Sequence, residues 1–432
     1  MSLVTSPSPG TRTTLLDLPD NVLAVIFERV SRGTNGIADL ARASCVDTQT
    51  RALAHERMRR MRTLDVRNLG RRARLATPHL ARRCASLVTI VCDRTNITDE
   101  CVTALLAASE RTLRKLSLAD CRHLRNLHEH AFAGAADDDD DATTFPLAEL
   151  NLRGSCWSPT ALASILRAAR RTLVALNLSS THVSHSSLRS GDDFGETARR
   201  VLECRSLRRL GLGAPVDFVV PCLAMQIFAE LERGGGGGGE STTNVGDGTV
   251  GWEELSLAQN GAANDAVLQG VSRRCPDLMQ LDLRGTTASS EGVVAFVESA
   301  ACARKLRSLL LGGCDSLDDG GLAMIASRCD ELLELDLSMH NRVGSGGIEA
   351  LAGCASLRRL RISRNAKVTA ESLGKLARMG GLEELSAVRC RRAGEPALRS
   401  LLRDLRECGE EAGGRCRIDW VGDDFAWTGI SL

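Results

Sequence analysis

Histidines and cysteines are the residues of this 432-residue chain that could bind a metal ion or attack a substrate. Three of the eight histidines fall in the segment HLRNLHEH, at His123, His128 and His130, where they could share one face of a helix. The sequence lacks the H-E-x-x-H motif that binds zinc in metalloproteases. We therefore interpret these histidines as exposed polar residues, and we predict neither a metal site nor catalytic residues.

The sixteen cysteines contain no C-x-x-C pair, so the sequence gives no support for a zinc or thioredoxin-type site. Their share of the chain is well below that of a disulfide scaffold. We interpret them as reduced, buried and small apolar side chains, which is typical of a cytoplasmic or nuclear protein. The phosphate-binding motif G-x-x-x-x-G-K-[ST] is also absent. We predict no cofactor and no enzyme activity.

The composition argues against two classes of partner. The net charge is only +1, which provides no general attraction to nucleic acid or to an anionic membrane. Aromatic residues make up 3% of the chain and tyrosine is missing, so surfaces that stack nucleic-acid bases are not expected. No apolar run approaches the roughly 18 residues that a membrane span requires. We expect neither nucleic acid nor a membrane as a partner.

The strongest pattern in the sequence is the motif Leu-x-x-Leu-x-Leu, which recurs along most of the chain. LRKLSL at Leu113 and LLELDL at Leu332 are clear copies, and MRTLDV at Met61 is a looser one. The twelve copies begin at residues 61, 87, 113, 147, 173, 207, 252, 278, 306, 332, 357 and 382. Eight intervals are 25 to 28 residues long, and three are longer.

Each unit predicts one strand followed by one helix. The fourth and sixth residues of the motif are apolar and alternate with polar ones, which is the period of a strand. Apolar pairs farther along, such as Leu322 with Ile325 or Leu373 with Leu376, stand three residues apart, which is a helical spacing. One unit cannot bury its leucines alone, but stacked units can. We predict an α/β fold: a right-handed leucine-rich-repeat solenoid with a parallel concave sheet and outer helices.

Eight cysteines keep a fixed place in this unit, which favours a buried structural role at a tight turn over a redox or metal role. Five stand three residues before a motif, and three stand eight residues after its start. They are Cys84, Cys204, Cys275, Cys329 and Cys354, and then Cys121, Cys314 and Cys390.

The three long intervals carry insertions, which we expect near residues 134–145, 185–197 and 233–251. They contain an acidic run from Asp137 to Asp141, the segment SGDDFGE, and six glycines from Gly234 to Gly239. Such segments are predicted to be solvated loops that do not pack.

The boundaries of the domains follow from these patterns. We expect a disordered tail at 1–14, a separate helical segment at 15–58, the solenoid of about twelve repeats at 59–410 and a C-terminal cap at 411–432. Trp420 in the cap is expected to cover the final layer of the core.

Residues 15–58 do not fit the repeat and predict three short helices. Their pattern is a Leu-Pro pair, apolar residues at helical spacing, an acidic-Leu pair and a short apolar end. These elements are Leu18-Pro19, Val22-Leu23, Ile26-Phe27, Asp39-Leu40 and Ala43-Ser44-Cys45-Val46. The segment resembles an F-box. It departs from that family at Thr50, where many members have tryptophan.

The resemblance implies a function as well as a fold. An F-box followed by these repeats is the architecture of F-box/leucine-rich-repeat proteins. In that family the F-box docks on a Skp-family adaptor, and the repeats hold a protein substrate for a cullin–RING ubiquitin ligase. The adaptor-binding residues implied here are Leu18, Pro19, Val22, Leu23, Ile26, Phe27, Leu40 and Val46. Two alternatives remain open: a plain helical cap on the solenoid, and a non-catalytic scaffold or inhibitor that joins no ligase.

The third, fifth and seventh residues of each unit are expected to face the concave surface. Arg359, Arg361, Arg364 and Arg389 gather in the last two repeats. They predict a basic, substrate-binding patch suited to an acidic or phosphorylated segment, since arginine pairs with carboxylates and phosphates. The alternative is a set of solvated surface arginines in a chain with many of them.

Overall fold

A computed structural model describes most of the repeat region. The described residues are 48–84, 86–124, 145–183, 193–214, 220–233, 249–314, 317–377, 381–390, 417–419 and 430–431. The adaptor-binding residues implied above, from Leu18 to Val46, lie outside these ranges, as does Trp420.

Strands and helices alternate through the described part of the chain. The strands are β1 Thr63–Asp65, β2 Thr89–Val91, β3 Lys115–Ser117, β4 Glu149–Asn151, β5 Cys156–Trp157, β6 Ala175–Asn177, β7 His182–Val183, β8 Arg209–Gly211, β9 Glu254–Ser256, β10 Gln280–Asp282, β11 Ser308–Leu310, β12 Glu334–Asp336, β13 Arg359–Arg361, β14 Glu384–Ser386, β15 Arg417–Asp419 and β16 Ile430–Ser431. The helices are α1 Thr48–Arg59, α2 Ala73–Ala81, α3 Asp99–Ser109, α4 Pro159–Ala168, α5 Asp193–Glu203, α6 Val220–Arg233, α7 Asp265–Arg274, α8 Ser290–Ser299, α9 Asp319–Arg328, α10 Ser345–Ala350 and α11 Ala370–Ala377. Short 3-10 turns lie at Arg67–Arg72, Ala303–Lys305 and Leu351–Gly353.

Fourteen of the described strands form one sheet in chain order, and β5 pairs with β7 in a separate parallel pair. The strands from β1 to β15 run parallel, with the central apolar residues in register, as in Leu281 beside Leu309. Each of the twelve motifs begins two residues before its strand. The predicted α/β solenoid, with its parallel sheet and its repeat register, is therefore confirmed.

The sheet continues into the segment predicted as a cap. Strand β15 pairs in parallel with β14, so that Ile418 lies beside Leu385. Strand β16 then pairs antiparallel with β15. The cap therefore contributes a further repeat-like strand.

The core is a single continuous layer between the sheet and the helices. The motif leucines and the inner helix residues, such as Leu322, Ile325 and Ile348, are fully buried. Each buried leucine contributes about 1.5–3 kcal/mol. Phe228 and Trp252 meet edge to face with ring centroids 6.4 Å apart, next to the longest insertion. None of the described helices is long and apolar enough to cross a membrane.

The turn after the strand uses a left-handed backbone at the eighth residue of the unit. Glycine adopts this conformation without cost, as at Gly285 and Gly313, but larger residues also occupy it. All ten described residues with positive φ hold this place: Arg94, Asp120, Gly154, Ser180, Gln259, Gly285, Gly313, Met339, Arg364 and Arg389. In this turn the amide of the eighth residue forms one more hydrogen bond to the next unit beyond the end of the strand. Met339 N–H, for example, donates to the Ser363 carbonyl at 2.8 Å.

The ninth residue ties several units to the unit before them, whereas a threonine at this place donates to a carbonyl of its own unit, as Thr181 does to Leu178. Asn260 Nδ2 donates to the Leu212 carbonyl and Asn365 Nδ2 to the Leu337 carbonyl, both at 2.9 Å. The thiol of Cys314 donates to the Leu283 carbonyl at 2.8 Å. These side chains satisfy buried carbonyls that would otherwise cost free energy. Leu69 holds this place in the first unit and is partly buried. The other described residues at this place are buried: Thr95, Cys121, Ser155, Thr181, Asn260, Thr286, Cys314, His340, Asn365 and Cys390.

The second predicted insertion is partly wrong. Helix α5 begins at Asp193, inside the segment predicted as a loop at 185–197. Phe194 packs against the core, and Thr197 is fully buried with its hydroxyl 3.2 Å from the Pro159 carbonyl. Phe194, Thr197 and Val201 stand on one helical face, a period that the polar composition of SGDDFGE masks.

Candidate protein-binding face

The concave surface of the sheet is built by the third and fifth residues of each unit. On strand β9 these are Glu254 and Ser256, which are partly exposed, while Leu255 between them is buried. The same alternation repeats along the sheet, as the pleat of a strand requires. We call this surface the inner face. Because the strands pair in parallel, equivalent side chains of neighbouring strands form rows across the sheet, with about 4.8 Å from one strand to the next.

Several side chains of the inner face are fixed by a local hydrogen bond at the end of the strand. The oxygen of an Asp or Asn at the fifth residue accepts the amide N–H of the seventh residue, in an Asx turn. Asn177 accepts from Ser179 at 3.0 Å, and Asp336 accepts from Ser338 at 2.9 Å. The same bond forms at Asp65, Asn151 and Asp282. These residues are therefore held in one orientation before a partner arrives.

Charges in the first half of the inner face are already paired. Glu149 lies 2.7 Å from Lys115 on the neighbouring strand and 3.2 Å from Arg209, which reaches across Ala175. The hydrogen bond from Lys115, with further help from Arg209, lowers the pKa of Glu149. One carboxylate thus pairs with two cations, as Glu334 does farther along the sheet.

A shallow depression lies at the centre of the inner face. It encloses about 390 Å³ and is open to solvent. Its floor is low because Ala175 and Gly211 are small, and a Cβ added at Gly211 would lie 2.8 Å from Asn177 Oδ1. The hydroxyl of Ser117 and the amide of Asn151 are among the hydrogen-bonding groups that line it. The shape and chemistry suit a segment of polypeptide better than an enclosed small molecule.

The predicted basic patch is divided by the structure. Glu334 lies 3.2 Å from Arg359 and 2.8 Å from Arg361, so one carboxylate pairs with two of the four arginines. The side chain of Glu334 is only 16% exposed between them. These two arginines therefore have a structural partner, which reduces the free positive charge on the inner face.

The other two arginines lie elsewhere. Arg364 and Arg389 occupy the left-handed eighth position of their units and sit in the turns that leave the sheet. Both are exposed, and neither forms an ion pair with a described residue. The four arginines predicted as one patch are therefore divided. Arg359 and Arg361 form ion pairs on the inner face, whereas Arg364 and Arg389 lie in the turns and form no ion pair with a described residue.

The cysteines with a fixed place in the repeat are poor candidates for chemistry. All eight phased cysteines are buried. Burial raises the pKa of the Cys84 thiol to about 11 and that of Cys204 to about 12. Since the thiolate is the reactive form, these residues are poor nucleophiles. Cys222 in α6 is exposed.

Sequence reasoning did not single out His340. It is buried at the ninth position, where its Nε2 lies 2.8 Å from the Leu311 carbonyl and its amide donates to Asn365 Oδ1 at 2.6 Å. Its place in the repeat, shared with Cys314, was the available signal. Among the described residues no group of three or more His, Cys, Asp or Glu side chains is arranged to hold a metal. His128 and His130 lie outside that part of the chain.

Helix α1 contains the described part of the helical segment predicted at 15–58. Ala54 and Met58 are fully buried, and Leu53 packs against the same core as the first repeat. The helix therefore covers the open end of the solenoid. Thr50 lies in this helix.

Comparison with known proteins found one family model and several similar solved structures. A family model described as Leucine Rich repeat matches residues 332–352. Among solved structures, the chain is similar to the complex of Rad7 and Elc1 from yeast, with 15% identity, coverage of 88% of this chain and 90% of that one, and a TM-score of 0.47. It is also similar to an internalin from Listeria monocytogenes, with 12% identity, coverage of 96% and 100%, and a TM-score of 0.45.

Proposed function

We propose that this protein is a non-catalytic substrate receptor of an SCF-type ubiquitin ligase. In this proposal residues 15–58 dock a Skp-family adaptor, which links the chain to a cullin–RING ligase, and the repeats hold a protein substrate. The observation that supports substrate binding is the inner face, a long, open surface with pre-oriented polar side chains. The resemblance of residues 15–58 to an F-box supports the proposed link to the ligase.

The junction between the two parts suits this role. Helix α1 ends the F-box-like segment and at the same time packs on the first repeat through Met58 and Leu53. A shared helix would hold the adaptor at a fixed position relative to the solenoid. A substrate on the inner face would then lie at a defined distance from the ligase. Such a complex would act in the cytoplasm or the nucleus, where the buried cysteines stay reduced.

The test is adaptor binding by the full chain and by a deletion that respects the structure. Removing residues 15–58 would also remove Met58 and expose the core of the first repeat. Deleting 15–47 keeps α1 in place. We expect a purified Skp-family adaptor to bind the full chain and not the deleted one. An equal melting temperature of the repeat region in both chains would serve as the control. Failure of the intact chain to bind the adaptor would refute the ligase role.

The alternative is a scaffold or inhibitor that binds one protein partner without a ligase. The docking of α1 on the first repeat favours it, because terminal repeats need a cap whether or not an adaptor binds. The departure at Thr50 points the same way. In this case deletion of 15–47 would leave every interaction of the chain unchanged.

A further inference from the structure

The rim formed by the last three described strand-to-helix turns is basic and unpaired. Four cationic side chains lie on this rim. Arg364 and Arg389 are the eighth residues of two successive units, and Arg342 and Lys367 are the eleventh residues of two successive units. All four are exposed, and none has an ion pair or a side-chain hydrogen bond to a described residue. The turn segments SMHNRVG, SRNAKVT and AVRC that carry them contain no acidic residue. We call these four residues the basic rim.

Other arginines of the same kind are neutralised. Arg94 has the same left-handed place as Arg364, but it lies 3.5 Å from Asp120, the equivalent residue of the next unit. Arg359 and Arg361 share Glu334. The basic rim therefore differs from its surroundings in having no carboxylate supplied by a described part of the chain.

Two of the four side chains stand on a left-handed backbone. Arg364 has φ 61° and Arg389 φ 58°, a conformation that glycine or asparagine adopts more easily. The equivalent turns at Gly154, Gly285 and Gly313 use glycine. The left-handed backbone belongs to the repeat as a whole, since it also occurs at Arg94 and Met339. What distinguishes the basic rim is therefore its unpaired charge and not its backbone.

We propose that the basic rim binds an acidic segment of the protein partner, a short run of Asp or Glu residues. Three turns at about 4.8 Å per strand span about 10 Å, which is the length of about three residues of extended chain. A cluster of four cations over this distance complements several adjacent carboxylates. The described rim segments contain no Phe, Tyr or Trp, and the ring of His340 is buried, so no exposed aromatic side chain is there for nucleic-acid bases to stack on. The inference rests on the proposed protein-binding function and names the chemistry of the partner.

The probe is a fluorescent peptide with four consecutive glutamates, compared with its glutamine analogue by anisotropy at low and high salt. We expect the full chain to bind the glutamate peptide at least tenfold more tightly, and the difference to shrink as salt screens the charges. The test variant is Arg364→Asn with Arg389→Asn, because asparagine tolerates positive φ and the fold should be kept. It should lose most of the affinity.

The matched control is Arg94→Asn with Arg153→Asn, which removes two exposed arginines, one of them at the same left-handed place. It should bind as the parent does. Equal losses in both double variants, or no binding of the glutamate peptide, would overturn the proposal. Tighter binding of an oligonucleotide or of a phosphoserine peptide of equal charge would also overturn it. Adaptor binding depends on residues 15–47 in our proposal, so a failed rim and a failed ligase role give different results.

Discussion

Replacing Gly292 by alanine should loosen the junction between two neighbouring repeats. Asp265, at the start of α7, accepts the Ser289 amide at 2.8 Å and the Ser289 hydroxyl at 2.7 Å. Ser289 is the N-cap of α8 in the next unit, so this clamp joins two helices. An added Cβ at Gly292 would lie 3.0 Å from Asp265 Cβ and closer still to its carboxylate. The aspartate would have to rotate out of the clamp.

The size of the effect follows from these contacts. Each hydrogen bond to an ionised but exposed acceptor is worth about 1–1.5 kcal/mol, and the two are lost together. Alanine in place of a helical glycine returns about 1 kcal/mol. The net change is a loss of about 1–2 kcal/mol in the free energy of unfolding. In an Asp265→Ala background the clamp is already gone, so Gly292→Ala should be neutral or slightly stabilising.

The assay is a double-mutant cycle by urea unfolding, with hydrogen exchange at the Ser289 amide as a local readout. The local readout is needed because long repeat arrays can unfold in parts. We expect a coupling energy of at least about 1 kcal/mol and faster exchange at Ser289 in either single variant. Additive effects within about 0.5 kcal/mol would refute the clamp.

Three further predictions concern the inner face and the core. Asn365→Ala should lower the free energy of unfolding by about 2–4 kcal/mol, because it leaves the buried His340 amide and Leu337 carbonyl without partners; thermal unfolding would show it, and a loss below 0.5 kcal/mol would contradict the role of the ninth residue. Glu334→Gln should release Arg359 and Arg361 and strengthen binding of the glutamate peptide about threefold, while unchanged anisotropy would show that their charge stays unavailable. Burial raises the pKa of the Cys204 thiol from 9.0 to about 12, so this thiol ionises at a lower pH in the unfolded chain than in the folded one. The contribution of Cys204 to the free energy of unfolding is therefore full below about pH 9 and falls between pH 9 and 12, by up to about 1.4 kcal/mol per pH unit. Melting temperatures of Cys204→Ala and the parent should converge over that range, and parallel curves would rule the effect out.

The strands and the core were predictable because their signal repeats. Each leucine motif places two buried residues on one face of a strand, and twelve copies fix the register without ambiguity. The cysteine positions followed from the same period. A single copy of such a motif would have been uninformative, because short apolar runs suit both strands and helices.

The features that escaped prediction depend on contacts between units. The start of helix α5 is not predictable from local propensity, because Asp193 and Gly195 are poor helix formers and only the packing of Phe194 and Thr197 on the core overrides them. The pairing of Glu334 with two arginines depends on side-chain geometry across strands, which a one-dimensional pattern does not contain. The left-handed turn at Arg364 was hidden because neither glycine nor asparagine marks it.

In the proposed function, residues 15–58 dock an adaptor while the repeats hold a substrate. Calorimetric titration of a purified Skp-family adaptor into the intact chain tests it most directly. We predict saturable one-to-one binding that is lost when residues 15–47 are deleted and kept when Arg364 and Arg389 are both replaced by asparagine. No heat of binding with the intact, folded chain would contradict the account.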